Sequence, residues 1–314
     1  MAELITSPAP GPTKSTGSFG SAALVLAGAA LFGTIGTAQL LGPAVPSPQL
    51  AGARLLLAGL LLLAVAVATG HLRGLRASWR QAPAWWAAVG QAGFNLCFLG
   101  AMVEAGVAVG TLVAIGATPV LTGLATRHVS RMWVLATCIA VAGLGLLVGG
   151  QLGSESAPSA LGIVLALGAS ASYATYIIAG NAAVARGLEV QPYLAVAFSL
   201  AAVMTFPLLL VGEVAWAWTP GGALLVAYMA VVPTVVAYSL FNRGLKGVRS
   251  STASTLGLIE PVVAAALAVA LVGERLSPVG VLGAALILAG LLLIVRSARD
   301  SSADLRLGEN APRA

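Results

Sequence analysis

The chain has 314 residues, 59% of them hydrophobic and only 8% charged, with a mean hydropathy of +0.97. A soluble domain carries about a quarter charged residues, so this composition excludes one or two soluble globular domains. The basic balance, net +6 with a pI near 9.9, does not point to nucleic acid, because the cations fall between apolar runs, where they report orientation in a bilayer.

Residues 1–18 begin a Ser/Pro/Gly/Thr-rich stretch, "ITSPAPGPTKSTGSFG", that lacks the basic n-region and A-x-A-like site of a cleaved signal. It reads as a disordered cytoplasmic tail followed by a retained first span. Ten apolar runs then predict helices at 19–41, 49–69, 84–103, 107–126, 132–150, 160–181, 191–211, 222–242, 251–272 and 278–296. Each has about the twenty residues needed to cross the hydrocarbon core. None alternates in the segments of about ten residues that mark a transmembrane barrel. The expected fold is therefore all-α and integral to the membrane, and residues 297–314 form a second cytoplasmic tail.

The cations fix a topology. Lys14, Arg73, Arg76, Arg80, Arg127, Arg131, Arg186, Arg243, Lys246, Arg249, Arg296, Arg299, Arg306 and Arg313 fall on one side, Arg275 on the other, and Arg54 inside the second span. Positive charge marks the cytoplasmic side, which makes both termini cytoplasmic. The tryptophans agree: Trp79, Trp85, Trp86 and Trp133 lie at inner boundaries and Trp216 and Trp218 at an outer one. That is an interfacial belt, so stacking on a substrate is not their expected role. Cys97 and Cys138 lie in apolar runs without CxxC or His companions and are expected to pack, with no metal, redox or cofactor role.

The chain also repeats itself. "AMVEAGVAVGTLVAIGATPV" (101–120) lies over "RGLKGVRSSTASTLGLIEPV" (243–262) without a gap, Pro119 on Pro261, and "AGLGLLV" (142–148) matches "AGLLLIV" (289–295). The first turn carries Glu104, the second Arg243, Lys246 and Arg249. Five spans per repeat invert the second copy, so matching turns face opposite sides and should differ in charge. Two inverted five-helix repeats, 19–150 and 160–296, are thus expected, a recurrent plan for transporters with a site near the midplane.

With these residues in view, the chain resembles the ten-helix EamA-type members of the drug/metabolite transporter superfamily. The resemblance rests on "PSPQLAGARLLLAGLLLL" (46–63), on "YSLFNRGLKGVRSSTASTLGLIEPVVAAALAVALVGERLSPVGVLGAALILAGLLLIV" (238–295), and on the weaker first-half copy ending "ATPVLTGLA". It implies a bacterial inner-membrane exporter of small metabolites, closest to the aromatic and general amino acid exporter type, with a central cavity and peripheral fifth and tenth helices. "TRHVSR" (126–131) replaces an acidic "GERL" in the first half, as inverted charge placement requires.

Candidate site residues follow from what is costly in lipid. Apart from Arg54 and Glu260 almost no charge lies inside the spans, which disfavours phosphorylated cargo. The first span carries no acidic residue, so the mechanism of small four-helix multidrug antiporters does not carry over directly. Gln91, Asn95 and Phe98 share a face of helix 3, Thr111, Thr118 and Thr122 one of helix 4, and Tyr228, Tyr238 and Asn242 a stripe on helix 8. Ser170, Tyr173 and Tyr176 lie near one another on helix 6, and Phe32 and Gln39 align on helix 1. The hydroxyls either bond between helices or line a cavity; the larger Asn95, Tyr173, Tyr176 and Tyr238 favour cavity lining.

Arg54 either snorkels, bonds backbone carbonyls or holds a substrate carboxylate. Glu104 and Glu274 read as solvated turn residues, and His71 and His128 as part of the basic rim. Pro119 and Pro261 are expected to distort their helices near the cavity. Gly106 with Gly110 and Gly145 with Gly149 predict close helix packing only. Glu260, expected near the middle of helix 9, is either structural, pairing with Arg54 or a neighbouring helix, or a site for a proton or a substrate amine.

An intramembrane enzyme would need a nucleophile with its base, paired aspartates or a metal cluster within the spans, and no such set appears. The expected function is alternating-access export of small neutral or zwitterionic metabolites, amino acids included, with a proton-coupled cation antiporter using Glu260 or a channel as alternatives. The expected partners are a small-molecule substrate and the lipid bilayer, with no nucleic acid; the oligomeric state is left open, a monomer being compatible.

Overall fold

The computed structural model describes residues 18–127, 129–149 and 159–309; the N-terminal tail, His128 and the loop before Ser159 lie outside these. Ten helices long and apolar enough to cross a membrane are present among the described residues: spans 1 to 10 are Gly20–Leu41, Ser47–Ala68, Ala82–Ala105, Val109–Thr126, Arg131–Gly149, Ala160–Ala185, Val190–Leu210, Pro220–Gly244, Ser250–Val272 and Pro278–Arg296. In hydrocarbon every backbone polar group must be satisfied within the segment, so apolar runs of this length have no alternative to the helix. Pro48, Pro83 and Pro220 stand in first turns, where a missing N–H costs nothing. Ser159, Thr219 and Ser277 cap the N–H groups of Gly162, Gly222 and Gly280 at 3.0, 3.1 and 3.0 Å.

Polarity alone does not sort the side chains: large apolar residues face outward, with Leu124 70% and Val203 72% exposed, while many alanines, hydrogen-bonded polar groups and a set of large side chains such as Tyr176, Phe198 and Phe241 fill the interior. That is the arrangement expected where lipid is as apolar as leucine and association depends on close packing. At the crossing of spans 5 and 10, a Cβ on Gly143 would stand 2.6 Å from Gly283 O and 2.7 Å from Ile287 N. Gly143→Ala is therefore expected to destabilise the bundle by about 1–3 kcal/mol, read as a lower unfolding temperature in detergent; an unchanged temperature would show that this crossing relaxes freely. The packing predicted at Gly145 and Gly149 is not there: nothing lies within 4 Å of a Cβ at either, because the helix turns Gly143, two residues earlier, toward span 10. Cys138 is likewise exposed on the exterior instead of packed.

Span 3 packs on span 6 and span 8 on span 1; span 4 on span 6 and span 9 on span 1; span 3 on span 7 and span 8 on span 2. Spans 2 and 7, 4 and 9, and 5 and 10 pair as well, and spans 5 and 10 lean chiefly on each other. Exchanging each helix for the one five places away carries this set of contacts onto itself.

Four spans are interrupted, span 7 only at Phe206, between helices Val190–Thr205 and Pro207–Leu210. Span 1 breaks at Gly33, between helices Ser18–Phe32 and Thr34–Leu41. Span 8 opens into a π-helical segment, Val231–Val236; Pro233 has no N–H for Met229 O, and the Thr234 hydroxyl supplies that donor at 2.7 Å. Span 9 breaks between helices Ser250–Leu256 and Ile259–Leu267. Here Pro261 leaves Gly257 O without its usual donor, and Glu260 N takes the place at 3.0 Å. Glu260 thus stands in the first turn of a half-helix, not at the middle of a continuous one. Pro119, by contrast, does not break its helix, which runs unbroken from Val107 to Thr126.

Two further differences from the sequence reading are local. Span 6 continues past residue 181 because Asn181, which looked like an end, donates to Leu245 O at 3.2 Å and Val248 O at 3.1 Å. A surface helix, Leu72–Trp79, joins spans 2 and 3, and the last helix extends beyond the apolar run to Glu309.

Candidate functional site

A cavity of about 440 Å³ opens where spans 1, 3, 5 and 9 finish and spans 2 and 4 begin. This is within the usual size range of small-molecule sites. Its walls are largely apolar, with Ile35, Leu50, Leu99, Met102 and Ile115 among the lining residues. The opposite end of the bundle carries the basic loops.

Two charges face the interior of this space, and a third, Glu274, stands exposed at its lining. Arg54 comes from span 2, and its Nη2 donates to Asn95 Oδ1 at 2.8 Å. Asn95 Nδ2 donates in turn to Gln91 O at 2.8 Å, one turn earlier in span 3. That second bond fixes which end of the amide points at the guanidinium. Glu260 comes from the break in span 9, at the positive end of a half-helix. Among the described residues no hydrogen bond or ion pair reaches its side chain. The ion pair found among them is His71 with Glu189, at 3.2 Å; Arg54 and Glu260 stay farther apart than 4.0 Å, though each feels the other's charge.

The break in span 9 abuts the break in span 1: a Cβ on Gly33 would stand 2.6 Å from Glu260 O and 2.9 Å from Val263 Cβ. Only glycine leaves room for this approach, so the position of Glu260 depends on a missing side chain in another helix.

Phe32, Phe94 and Phe98 contribute rings to the cavity, with Phe94 and Phe98 stacked at 5.1 Å. Toward the closed end lies a polar aromatic layer. Tyr238 sits 4.6 Å from the Phe32 ring, and its hydroxyl accepts from Gln91 Nε2 at 3.0 Å. Tyr173 is 5.4 Å from the Phe94 ring. Tyr176 accepts from Asn242 Nδ2 at 2.6 Å. Farther on, the closed end is tied by Ser250 donating to Asn181 Oδ1 at 2.6 Å, Trp133 Nε1 to Ser251 O at 2.9 Å, and the Thr137 and Thr255 hydroxyls at 2.9 Å.

Of the residues singled out from sequence, Phe32, Gln39, Arg54, Asn95, Phe98, Glu260 and Pro261 line the cavity, as does Thr111. Gln91, Tyr173, Tyr176 and Tyr238 do not; they form the layer beneath. Pro119 is away from it, and Thr118 bonds Ser170 at 3.0 Å. Glu274, read as a turn residue, is exposed and also lines the mouth, because the turn after span 9 folds back with Glu274 N on Ala268 O at 3.2 Å. Sequence reasoning passed over Phe94, whose spacing of four from Phe98 was the available signal. No group of three His, Cys, Asp or Glu suited to a metal occurs among the described residues.

Residues 160–296 match the EamA-like transporter family. A Bacillus subtilis (strain 168) protein named uncharacterized transporter YwfM is 37% identical over 286 residues, 88% of this chain and 93% of that protein. The threonine/homoserine exporter RhtA of Escherichia coli (strain K12) is 33% identical over 274 residues, 85% and 88% of the two chains. A crystal structure 20% identical in sequence has the same fold, with a TM-score of 0.76 over 89% of this chain and 98% of its own.

Proposed function

The chain belongs to the EamA-like transporter family, and from that membership we propose that it exports small zwitterionic metabolites, chiefly amino acids including aromatic ones, across the bacterial inner membrane. One observation carries the reading: Arg54 and Glu260, opposite in charge and not paired with each other, face one apolar cavity. A zwitterion answers both, its carboxylate on the Arg54 guanidinium and its ammonium on Glu260. Charge-assisted bonds of this kind are strong where water is scarce. The Phe32, Phe94 and Phe98 rings supply apolar contact for the side chain. Threonine and homoserine, the substrates in the name of RhtA, are the first amino acids to try.

The remainder of the mechanism follows from orientation. With the basic loops inside, the cavity faces outward and the tyrosine layer closes the cytoplasmic side. The exchange symmetry of helix contacts supports two inverted halves that rock about the site, so the substrate meets Arg54 and Glu260 from either side in turn.

Counterflow in proteoliposomes tests this. Labelled amino acid uptake should saturate and rise with unlabelled substrate on the far side, which a channel does not do. Glu260→Gln should lower amino acid transport about tenfold to a hundredfold, the worth of a hydrogen bond to a charged group. Unchanged transport with an unchanged pH profile would remove Glu260 from the site. A cation antiporter is the second reading, favoured by Glu260 and Glu274 both lining the cavity; lipophilic cations competing better than any amino acid would select it.

A further inference from the structure

The segment between spans 2 and 3 has a form that orientation in the bilayer does not require. Span 2 ends at Ala68 and span 3 begins at Ala82, and the helix Leu72–Trp79 lies between them. Gly70, at φ +76°, turns the chain out of span 2, with His71 N on Ala66 O at 2.9 Å. At the other end Trp85 Nε1 donates to Trp79 O at 2.8 Å, and the two rings meet edge-on at 4.9 Å. Both ends of the helix thus stand within a few residues of a span's end, so it lies along the membrane boundary at headgroup depth.

Around this helix the residues fall into three sectors. Gly74 and Ser78 take the covered one: Ser78 is buried, and a Cβ on Gly74 would stand 2.8 Å from Pro192 Cγ in span 7. Leu72 and Trp79 share the next sector and are left uncovered by the protein, 60% and 52% exposed. Beside them come Arg73, Arg76 and Arg80, all exposed, which at about 100° per residue fall within about 60° of one another. Among the described residues no hydrogen bond or ion pair reaches these three guanidinium groups, and Glu189 is taken up by His71 at 3.2 Å. Cations that only mark the cytoplasmic side would serve at any position in the loop. Three on one face, next to two large uncovered apolar side chains, are a more particular arrangement.

We propose that this face binds an anionic phospholipid on the side of the basic loops, Arg73, Arg76 and Arg80 holding its headgroup phosphate while Leu72 and Trp79 lie against its acyl chains. Guanidinium forks match phosphate oxygens in pairs. Residues three and four apart on a helix stand about 5–6 Å from one another at Cβ, close enough for long arginine side chains to converge on one phosphate. The apolar pair decides the source of that phosphate. A soluble phosphate has nothing to cover Leu72 and Trp79, whereas a lipid brings chains at their depth. The site is separate from the cavity, and nothing in it depends on the cargo.

The test offers the purified full chain, in a neutral detergent, an equal mixture of phosphatidylglycerol and phosphatidylcholine with the same acyl chains, and reads the retained lipid by native mass spectrometry. The wild type should retain phosphatidylglycerol over phosphatidylcholine by about tenfold or more, since each cation at an anionic surface is worth about fivefold. Arg76→Gln should cut that preference about fivefold. Arg243→Gln, which removes an equal charge from an exposed position in another basic loop, should leave it unchanged. A wild type with no preference overturns the proposal, as does a preference that Arg76→Gln leaves intact. Equal losses in Arg76→Gln and Arg243→Gln overturn it too, because they mark the general field of the basic loops. Glycerol 3-phosphate at the concentration of the lipid should displace none of it; displacement would make the ligand a soluble phosphate and overturn the lipid assignment.

Discussion

Arg54→Gln is expected to reduce amino acid transport by a hundredfold or more, chiefly as a rise in KM, while the protein still folds and inserts. Removing one partner of a buried charge pair costs about 2–5 kcal/mol, much of it the penalty of leaving the other charge unpaired, here the substrate carboxylate. Gln keeps a donor for Asn95 Oδ1, so the bond that positions the side chain in the resting protein at 2.8 Å is replaceable and stability should change little. Lys should rescue poorly: it restores the charge without the planar fork that can hold Asn95 and a carboxylate together. Kinetics across a panel of amino acids, set beside the unfolding temperature of each variant, checks this. A folded Arg54→Gln with wild-type kinetics would make the residue structural.

Gly33→Val should reduce transport by a similar amount for a different reason. Even the first atom of the new side chain would stand 2.6 Å from Glu260 O and 3.1 Å from Ala264 N, and those are backbone atoms that cannot rotate away. Span 9 must shift outward at its break, taking the Glu260 carboxylate with it, and a misplacement of about 1 Å in a positioned group can cost a hundredfold. Gly20, in the same span, has nothing within 4 Å of a Cβ and stands away from the cavity, and Gly20→Ala serves as the control on helix propensity alone. Equal transport by both variants would show that the two breaks do not act on each other.

The spans were legible because bilayer thickness sets one length and backbone satisfaction one conformation, so a run such as 278–296 leaves little choice. Their ends were legible to within a few residues for the same reason. Where a polar residue interrupts a run, the signal fails: Asn181 looked like a boundary, and only its bonds to the carbonyls of Leu245 and Val248 show why the helix can continue. The helix Leu72–Trp79 was missed although Leu72, Leu75 and Trp79 have helical spacing, because eight residues between two spans pass for an ordinary basic loop. Pro119 and Pro261 read alike in the repeat, yet only the second follows a break; Gly257, Leu258 and the close approach of Gly33 separate the two cases, and none of these is a local property of proline.

Candidate site residues divided in the same way. Arg54, Asn95 and Glu260 announced themselves by being costly in lipid. Tyr173, Tyr176, Tyr238 and Gln91 did so too, but which layer each occupies depends on the depth of the cavity, and helical phase gives direction without depth. Phe94 and Glu274 carried no polar cost to notice inside the membrane, one being apolar and the other beyond the end of its helix. Gly145 and Gly149 show the limit of spacing as evidence: the pair has the right period, while the contact belongs to Gly143.

The central claim is that Arg54 reads the carboxylate and Glu260 the ammonium of one bound zwitterion. Binding of threonine, its methyl ester and its N-acetyl derivative to purified wild type, Arg54→Gln and Glu260→Gln measures it directly, each ligand change and each substitution closing a cycle. The account predicts that wild type loses about tenfold or more on either blocking group, that Arg54→Gln no longer distinguishes acid from ester, and that Glu260→Gln no longer distinguishes free from acetylated amine. An ester and an N-acetyl derivative that bind the wild type as tightly as threonine would contradict it.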